Sequence, residues 1–196
     1  MKIFLDCDDT ILDSSKCIIG LLNKKNGTNK TFDDLKDFQY RSIDKTLTTK
    51  TVLDIFESDE FWNSVQFNQD FLDNHQFLND NFEIEIVSCG TKENLRKKEE
   101  FLKHLGYKFN GLLVDENLDL CKKRINMQNC IQIDDNISSL ENTNATIKIL
   151  LKNDREFAWN KTKANIENLY AVNNWNEIIE ILVYTKNHPW FVEEVH

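Results

Sequence analysis

The residues best placed to do chemistry stand near the start of the chain, in Asp6-Cys7-Asp8-Asp9-Thr10, directly after the apolar run Ile3-Phe4-Leu5. Acids spaced i and i+2 at the end of a buried strand face one crevice once the chain turns out of the sheet. Like charges crowded there need a cation or a proton. A second acid pair, Asp134-Asp135, closes the run Cys130-Ile131-Gln132-Ile133. Two such strand ends side by side make an oxygen-rich site suited to Mg²⁺. Each pair alone is explained as turn residues or helix caps, and together they favour metal binding. Between them lies Ser88-Cys89-Gly90-Thr91, which offers hydroxyls and backbone N–H groups to a phosphate or simply caps a helix. Cys89 has no evident histidine partner and reads as a bystander rather than a nucleophile.

Positioning these groups requires strands that end in one place. Residues 2–6, 82–88, 111–114, 130–134 and 146–151 read as strands, with a sixth short run at 169–172. Leu95, Lys98, Phe101, Leu102 and Leu105 keep helical spacing, and Gly106 is a left-handed stop. Asn174 with Glu177 has the spacing of an N-cap and a reaching acid, ahead of the apolar stripe Ile178, Ile179 and Leu182. This alternation predicts an α/β fold: a Rossmann-like, doubly wound parallel sheet. Brändén's rule then places ligands beyond the carboxyl ends of the strands, where the acids are.

The interval 14–80 breaks the rhythm. It is rich in aromatics (Phe32, Phe38, Tyr40, Phe56, Phe61, Trp62, Phe67, Phe71 and Phe77) and too long for an ordinary connection. It is expected to be a small helical cap inserted after the first strand, leaving 1–13 and 81–196 as the core. Most of its aromatics must form its own core.

The 196 residues suffice for such a core and cap. The net charge of −9 argues against a nucleic-acid polymer as partner but admits a small anion beside a bound cation. No apolar run approaches a membrane span, and an acid follows the first apolar residues at once, so a cytoplasmic location is expected. The five cysteines, with no Cys-x-x-Cys pair, are expected to be free thiols. The four scattered histidines lack zinc-ligand spacing.

Asp6-x-Asp8-x-Thr10, the strand-end Ser88, a downstream lysine and Asp134-Asp135 resemble the four motifs of the haloacid-dehalogenase superfamily of phosphohydrolases. A narrower resemblance, to the 5'(3')-deoxyribonucleotidases, runs along nearly the whole chain. It rests on Phe56-Glu57-Ser58-Asp59-Glu60-Phe61-Trp62, on Lys98-Glu99-Glu100-Phe101-Leu102 with His104-Leu105-Gly106, on Ile133-Asp134-Asp135 and on Val172-Asn173-Asn174-Trp175. The chain departs from that family at Asp9, where Gly is usual, near Ser14, at Val65–Asp70, and at Ser88-Cys89-Gly90. These changes bear on substrate identity.

The resemblance implies that Asp6 attacks phosphorus and that Asp8 protonates the leaving oxygen and then activates water. It implies Mg²⁺ held by Asp6, the backbone carbonyl of Asp8 and an acid of the pair, with Asp135 the better match and Asp134 orienting a lysine. Ser88, Cys89 and Lys98 would contact phosphate. A second basic group is expected where Lys122, Lys123 and Arg124 crowd together, with Lys123 and Arg124 carried as candidates. Phe38 and Phe56 are the candidates for stacking on a base, with Phe61 and Trp62 as wall or packing residues. The implied substrate is a small phosphate ester, a deoxyribonucleoside monophosphate first, with a homodimer left open. Two alternatives stand beside it: a phosphatase for another ester, such as a phosphosugar, and a non-catalytic phosphate-binding module, which would have no need of Asp8.

Overall fold

The computed structural model describes residues 1–114, 118–155, 157, 159–162 and 166–188. β1 (Lys2–Leu5) lies inside a six-stranded sheet, between β2 (Glu83–Gly90) and β4 (Ile131–Asp134). Leu5 is level with Ile86 on one side and Ile133 on the other. β3 (Lys108–Leu113) lies outside β2, and β5 (Ile147–Leu151) and β6 (Leu169–Val172) lie outside β4. The order is β3-β2-β1-β4-β5-β6 and every pairing is parallel. The chain therefore builds outward from β1 in one direction, then returns and builds in the other. The seam between β1 and β4 is the topological switch point, where a doubly wound sheet opens its crevice.

Alternation along the strands puts apolar residues on both faces, as a covered parallel sheet demands. Ile3, Leu5, Ile84, Ile86, Ile131, Ile133 and Ile149 join one core with Leu78, Trp175, Ile178 and Leu182. Phe4 and Val87 face the other way, against Met127 and Ala145. β3 starts three residues before the expected run because Lys108-Phe109-Asn110 shows no apolar pattern. As an edge strand it is half-buried, so pairing alone defines it.

The interval after β1 holds helices and no named strand: α1 (Ser14–Asn26), α2 (Thr49–Phe56), α3 (Asp59–Trp62) and α4 (Gln69–Asn81). Local chemistry cuts it into short pieces. Gly27 ends α1 in the left-handed region at φ 63°. Thr48, Ser58 and Asn68 each accept an N–H of the helix they start. α4 packs on β2 and on the last helix, α7 (Trp175–Asn187). α5 (Lys92–Leu102) passes through a tight turn to Gly106, whose φ of 76° is the expected stop, and the short α6 (Ile137–Glu141) follows β4. Asn174 caps α7, and Glu177 reaches one residue further back than a capping box, to the N–H of Asn173 at 2.8 Å. No helix among the described residues is long and apolar enough to cross a membrane.

Candidate active site

Asp6 continues β1 by one bond, its N–H donating to the carbonyl of Ile133 at 2.9 Å. The chain then turns tightly, with the N–H groups of Ile11 and Leu12 both donating to Cys7 O. Asp9 sits in the turn at φ 54°, a left-handed conformation that Asp tolerates and Gly prefers. Two side chains from the far half of the core fix the turn: Asn153 Nδ2 donates to Asp9 O at 2.7 Å and Trp175 Nε1 to Thr10 O at 3.0 Å.

Asp8 and Asp9 then diverge. Asp8 accepts Ser14 Oγ at 2.7 Å on Oδ1 and the Lys98 ammonium on Oδ2. Asp9 accepts the Ser15 N–H at 2.8 Å and the Ser15 hydroxyl, which also meets Tyr40 Oη at 2.7 Å. Lys98, on α5, is almost fully buried and donates to Ser88 Oγ at 2.8 Å. Lys98 thus joins β2 to the turn after β1 through Ser88 and Asp8.

Lys122 belongs to the 3₁₀ segment Leu118–Arg124 and reaches the switch point. Its ammonium donates to Asp134 Oδ2 at 2.7 Å and to Asp6 Oδ1. Asp134 Oδ2 also accepts Ser139 Oγ at 2.6 Å and Gln132 Nε2 at 3.1 Å, while Oδ1 takes the N–H of Asn136 at 3.0 Å. Among the described residues, Asp135 receives a hydrogen bond only from Trp159 Nε1, at 2.9 Å.

Carboxylate oxygens of Asp6, Asp134 and Asp135 lie within 4.8 Å of one another. Asp6, Asp8, Asp9, Asp134 and Asp135 face one cavity, and among the described residues the basic groups lining it are Lys98 and Lys122. Burial raises the Asp6 carboxyl to about 6, with Asp134 and Asp8 adding to the rise and Lys122 opposing it. Burial holds Asp135 well above the ordinary carboxylate range, and Asp9, Asp6 and Asp134 push it the same way. Burial raises Asp9 to about 7 against the hydrogen bonds of Ser15. Burial alone would lower Lys98 and Lys122, but the acids beside them outweigh it and hold both above their usual value. The unbalanced charge is negative, and a hard divalent cation fits that donor set. Asp134 has both oxygens committed to donors, and Asp6 accepts Lys122 on Oδ1 and, loosely, the Thr10 hydroxyl on Oδ2 at 3.4 Å, so Asp135 has the freest oxygen to give and Asp6 Oδ2 the next.

The cavity has a volume of about 390 Å³, within the range of small-molecule sites. Away from the acids it is walled by Phe38, Val52, Leu53, Phe56 and Trp159. Phe38 is half exposed and meets the Trp159 ring edge-on at 5.9 Å. Phe56 lies 5.8 Å from the Lys98 ammonium and packs on Phe61.

The structure therefore brings together Asp6, Asp8, Ser88, Cys89, Lys98, Asp134, Asp135, Phe38 and Phe56. It does not bring in Lys123 and Arg124. Both are exposed, and Arg124 donates to Leu113 O at 3.2 Å, because the short helix turns only Lys122 inward. Phe61 is fully buried, Trp62 gives its N–H to Phe56 O at 2.7 Å, and neither lines the cavity. They build the support behind Phe56 rather than a binding wall. The Cys89 thiol is raised by burial and stays protonated, and all five cysteines are free. Sequence reasoning missed Tyr40, Asn94 and Trp159. Asn94 is legible from its spacing four residues before Lys98, which puts both on one helix face; Trp159 carries no local signal.

No protein-family model matches the chain, and no curated protein does. Solved structures do. The chain is similar to the magnesium-bound HAD-hydrolase YfnB from Bacillus subtilis, with 17% identity, 92% of this chain and 97% of that chain covered, and a TM-score of 0.54. It is similar to the haloacid dehalogenase-like protein SP0104 from Streptococcus pneumoniae at 15% identity, 93% and 97% coverage and TM-score 0.56. A haloacid dehalogenase-like hydrolase from Burkholderia xenovorans LB400 gives 12%, 93% and 96%, and 0.58. The fold is that of the haloacid-dehalogenase hydrolases. At these identities the likeness is one of fold.

Proposed function

We propose that the protein is a Mg²⁺-dependent phosphomonoesterase working through an aspartyl phosphate on Asp6, and that its substrate is a deoxyribonucleoside monophosphate. The observation that carries the chemistry is the placement of Asp6 at the switch point, bonded to Lys122, clustered with Asp135 and facing the same cavity as Asp8. The resemblance to the 5'(3')-deoxyribonucleotidases, with the aromatic wall of Phe38 and Phe56, supports the nucleotide. The magnesium of YfnB accords with the acid cluster.

In this reading an Asp6 oxygen attacks phosphorus and the ester P–O bond breaks. The leaving oxygen takes from Asp8 the proton that the previous turnover's water left on it, which requires Lys98 to release Asp8 Oδ2. Lys98 stays beside Ser88, where both face the incoming phosphate. Asp8 next takes a proton from water as that water attacks the phosphorus, which frees inorganic phosphate and regenerates Asp6. Asp6 and Asp135 would hold the cation, which when bound neutralises charge on the transferring group. Lys122 holds Asp6 Oδ1 and Asp134 in place throughout.

The domain division belongs to the proposal. Residues 14–80 form a cap over the core of 1–13 and 81–196, and α4 seats the end of the cap on the core through β2 and α7. Phosphate release from deoxyribonucleoside monophosphates, ribonucleoside monophosphates, phosphosugars and a generic aryl phosphate, each with and without Mg²⁺, tests the whole reading. Preference for a phosphosugar would overturn the nucleotide; no release from any ester would overturn the enzyme.

A further inference from the structure

Asp134 and Asp135 are adjacent carboxylates with opposite surroundings. Asp134 shares the Lys122 ammonium with Asp6 and is saturated by Ser139, Gln132 and Asn136. Asp135 meets a neutral donor, the indole N–H of Trp159. An indole has a donor and no acceptor, so it does not ligate a hard cation itself. It also brings no charge, so it fixes a carboxylate without spending the negative charge a cation needs. A lysine in its place would compete with the metal for the same oxygens.

The indole is itself clamped. Its face stacks on Phe157 with centroids 4.4 Å apart and planes 2° from parallel. Phe38 meets it edge-on at 5.9 Å, and Phe32 meets Phe157 edge-on at 5.2 Å. Phe32 and Phe38 come from the segment between α1 and α2, so aromatic contacts run from that segment to the carboxylate.

We propose that Trp159 is a positioning residue for Asp135. It sets the carboxylate for a divalent cation, and its contact with Phe38 makes cation affinity depend on the seating of the segment between α1 and α2. The proposal rests on the cation site of the preceding section. Outer donors that orient ligating groups are worth about ten- to a hundredfold in metal affinity.

The test is Mg²⁺ titration by calorimetry on the full chain, read beside the melting temperature. Trp159→Phe keeps the stack and deletes the donor; it should weaken Mg²⁺ binding about tenfold or more with the fold retained. Phe38→Ala, at a half-exposed position, does not threaten folding and should weaken Mg²⁺ binding severalfold. An unchanged dissociation constant in Trp159→Phe, with normal binding by the unmodified protein, would overturn the positioning role alone. Unchanged binding in Phe38→Ala would overturn the coupling to that segment, whether or not Trp159→Phe folds. Absence of Mg²⁺ binding by the unmodified protein would overturn the cation site and this proposal with it.

Discussion

Lys122 donates to Asp134 Oδ2 at 2.7 Å, and the same ammonium touches Asp6, so one buried cation ties the last residue of β4 to the first residue beyond β1. Removing it leaves two carboxylates buried without a counter-charge. Breaking such a pair by deleting one partner costs about 3–5 kcal/mol. Lys122→Ala should therefore lower both turnover, by about a hundredfold or more on the scale of removing one charge-stabilising group, and stability in urea. Lys123→Ala and Arg124→Ala, at exposed positions, should stay close to the unmodified protein in both measurements. A crippled Lys123→Ala beside a normal Lys122→Ala would mean that the helix presents a different face in solution.

Asp6→Asn should abolish turnover and keep the fold, because an amide is a poor nucleophile at phosphorus. Circular dichroism together with phosphate release checks both halves. Near-normal activity in the folded variant would remove Asp6 from its role.

Chelator should stop phosphate release, and Asp135→Ala should raise the Mg²⁺ concentration needed or remove activity, since it deletes a hard oxygen donor. Asp134→Ala should differ from it by also lowering the melting temperature, because Asp134 is the hub for Lys122, Gln132, Ser139 and Asn136. Release that is indifferent to metal would contradict the assignment of the acid cluster.

The raised carboxyls predict a pH dependence for the metal-free protein. Asp9 goes from an ordinary 3.8 to about 7 and Asp6 from 3.8 to about 6. The fold therefore holds protons that the unfolded chain has released. The stability they contribute is fully present below about pH 4 and is lost as pH rises through 6 and 7. In chelator the melting temperature should fall across that window, and Mg²⁺ should restore more of it at pH 8 than at pH 5. Asp9→Asn removes one such carboxyl while an amide still bonds Ser15, so its melting temperature should vary less between pH 4 and 8. An identical slope in the variant would sink the idea.

Phe38→Ala and Phe56→Ala, at saturating Mg²⁺, should weaken turnover of deoxyribonucleoside monophosphates by about ten- to a hundredfold, the equivalent of the roughly 1–3 kcal/mol that base stacking supplies. Hydrolysis of a generic ester without a base should barely change. Equal losses on both esters with a lowered melting temperature would keep the phosphatase and discard the base contact. Phe61→Ala provides the contrast: Phe61 is fully buried, so its loss should be one of stability on every substrate.

The sequence by itself determined the sheet, the caps and the acids. Strand alternation, helical spacing and capping residues act over a few positions, so Asp6, Asp8, Asp134 and Asp135 could be placed at strand ends, and Asn174 at the start of a helix, from local pattern alone. The tertiary structure decided which groups converge on them. Lys122 meets Asp6 across 116 positions and Lys98 meets Asp8 across 90. No periodicity in a short 3₁₀ turn says which of three adjacent basic residues points inward. Trp159 finds Asp135 across 24 positions, from a loop with no repeat. The neutrality of that donor, against the lysine on Asp134, separates the two acids. Local pattern could not, and in the sequence only the resemblance favoured Asp135, because a carboxylate's freedom to bind a cation depends on the donors packed around it.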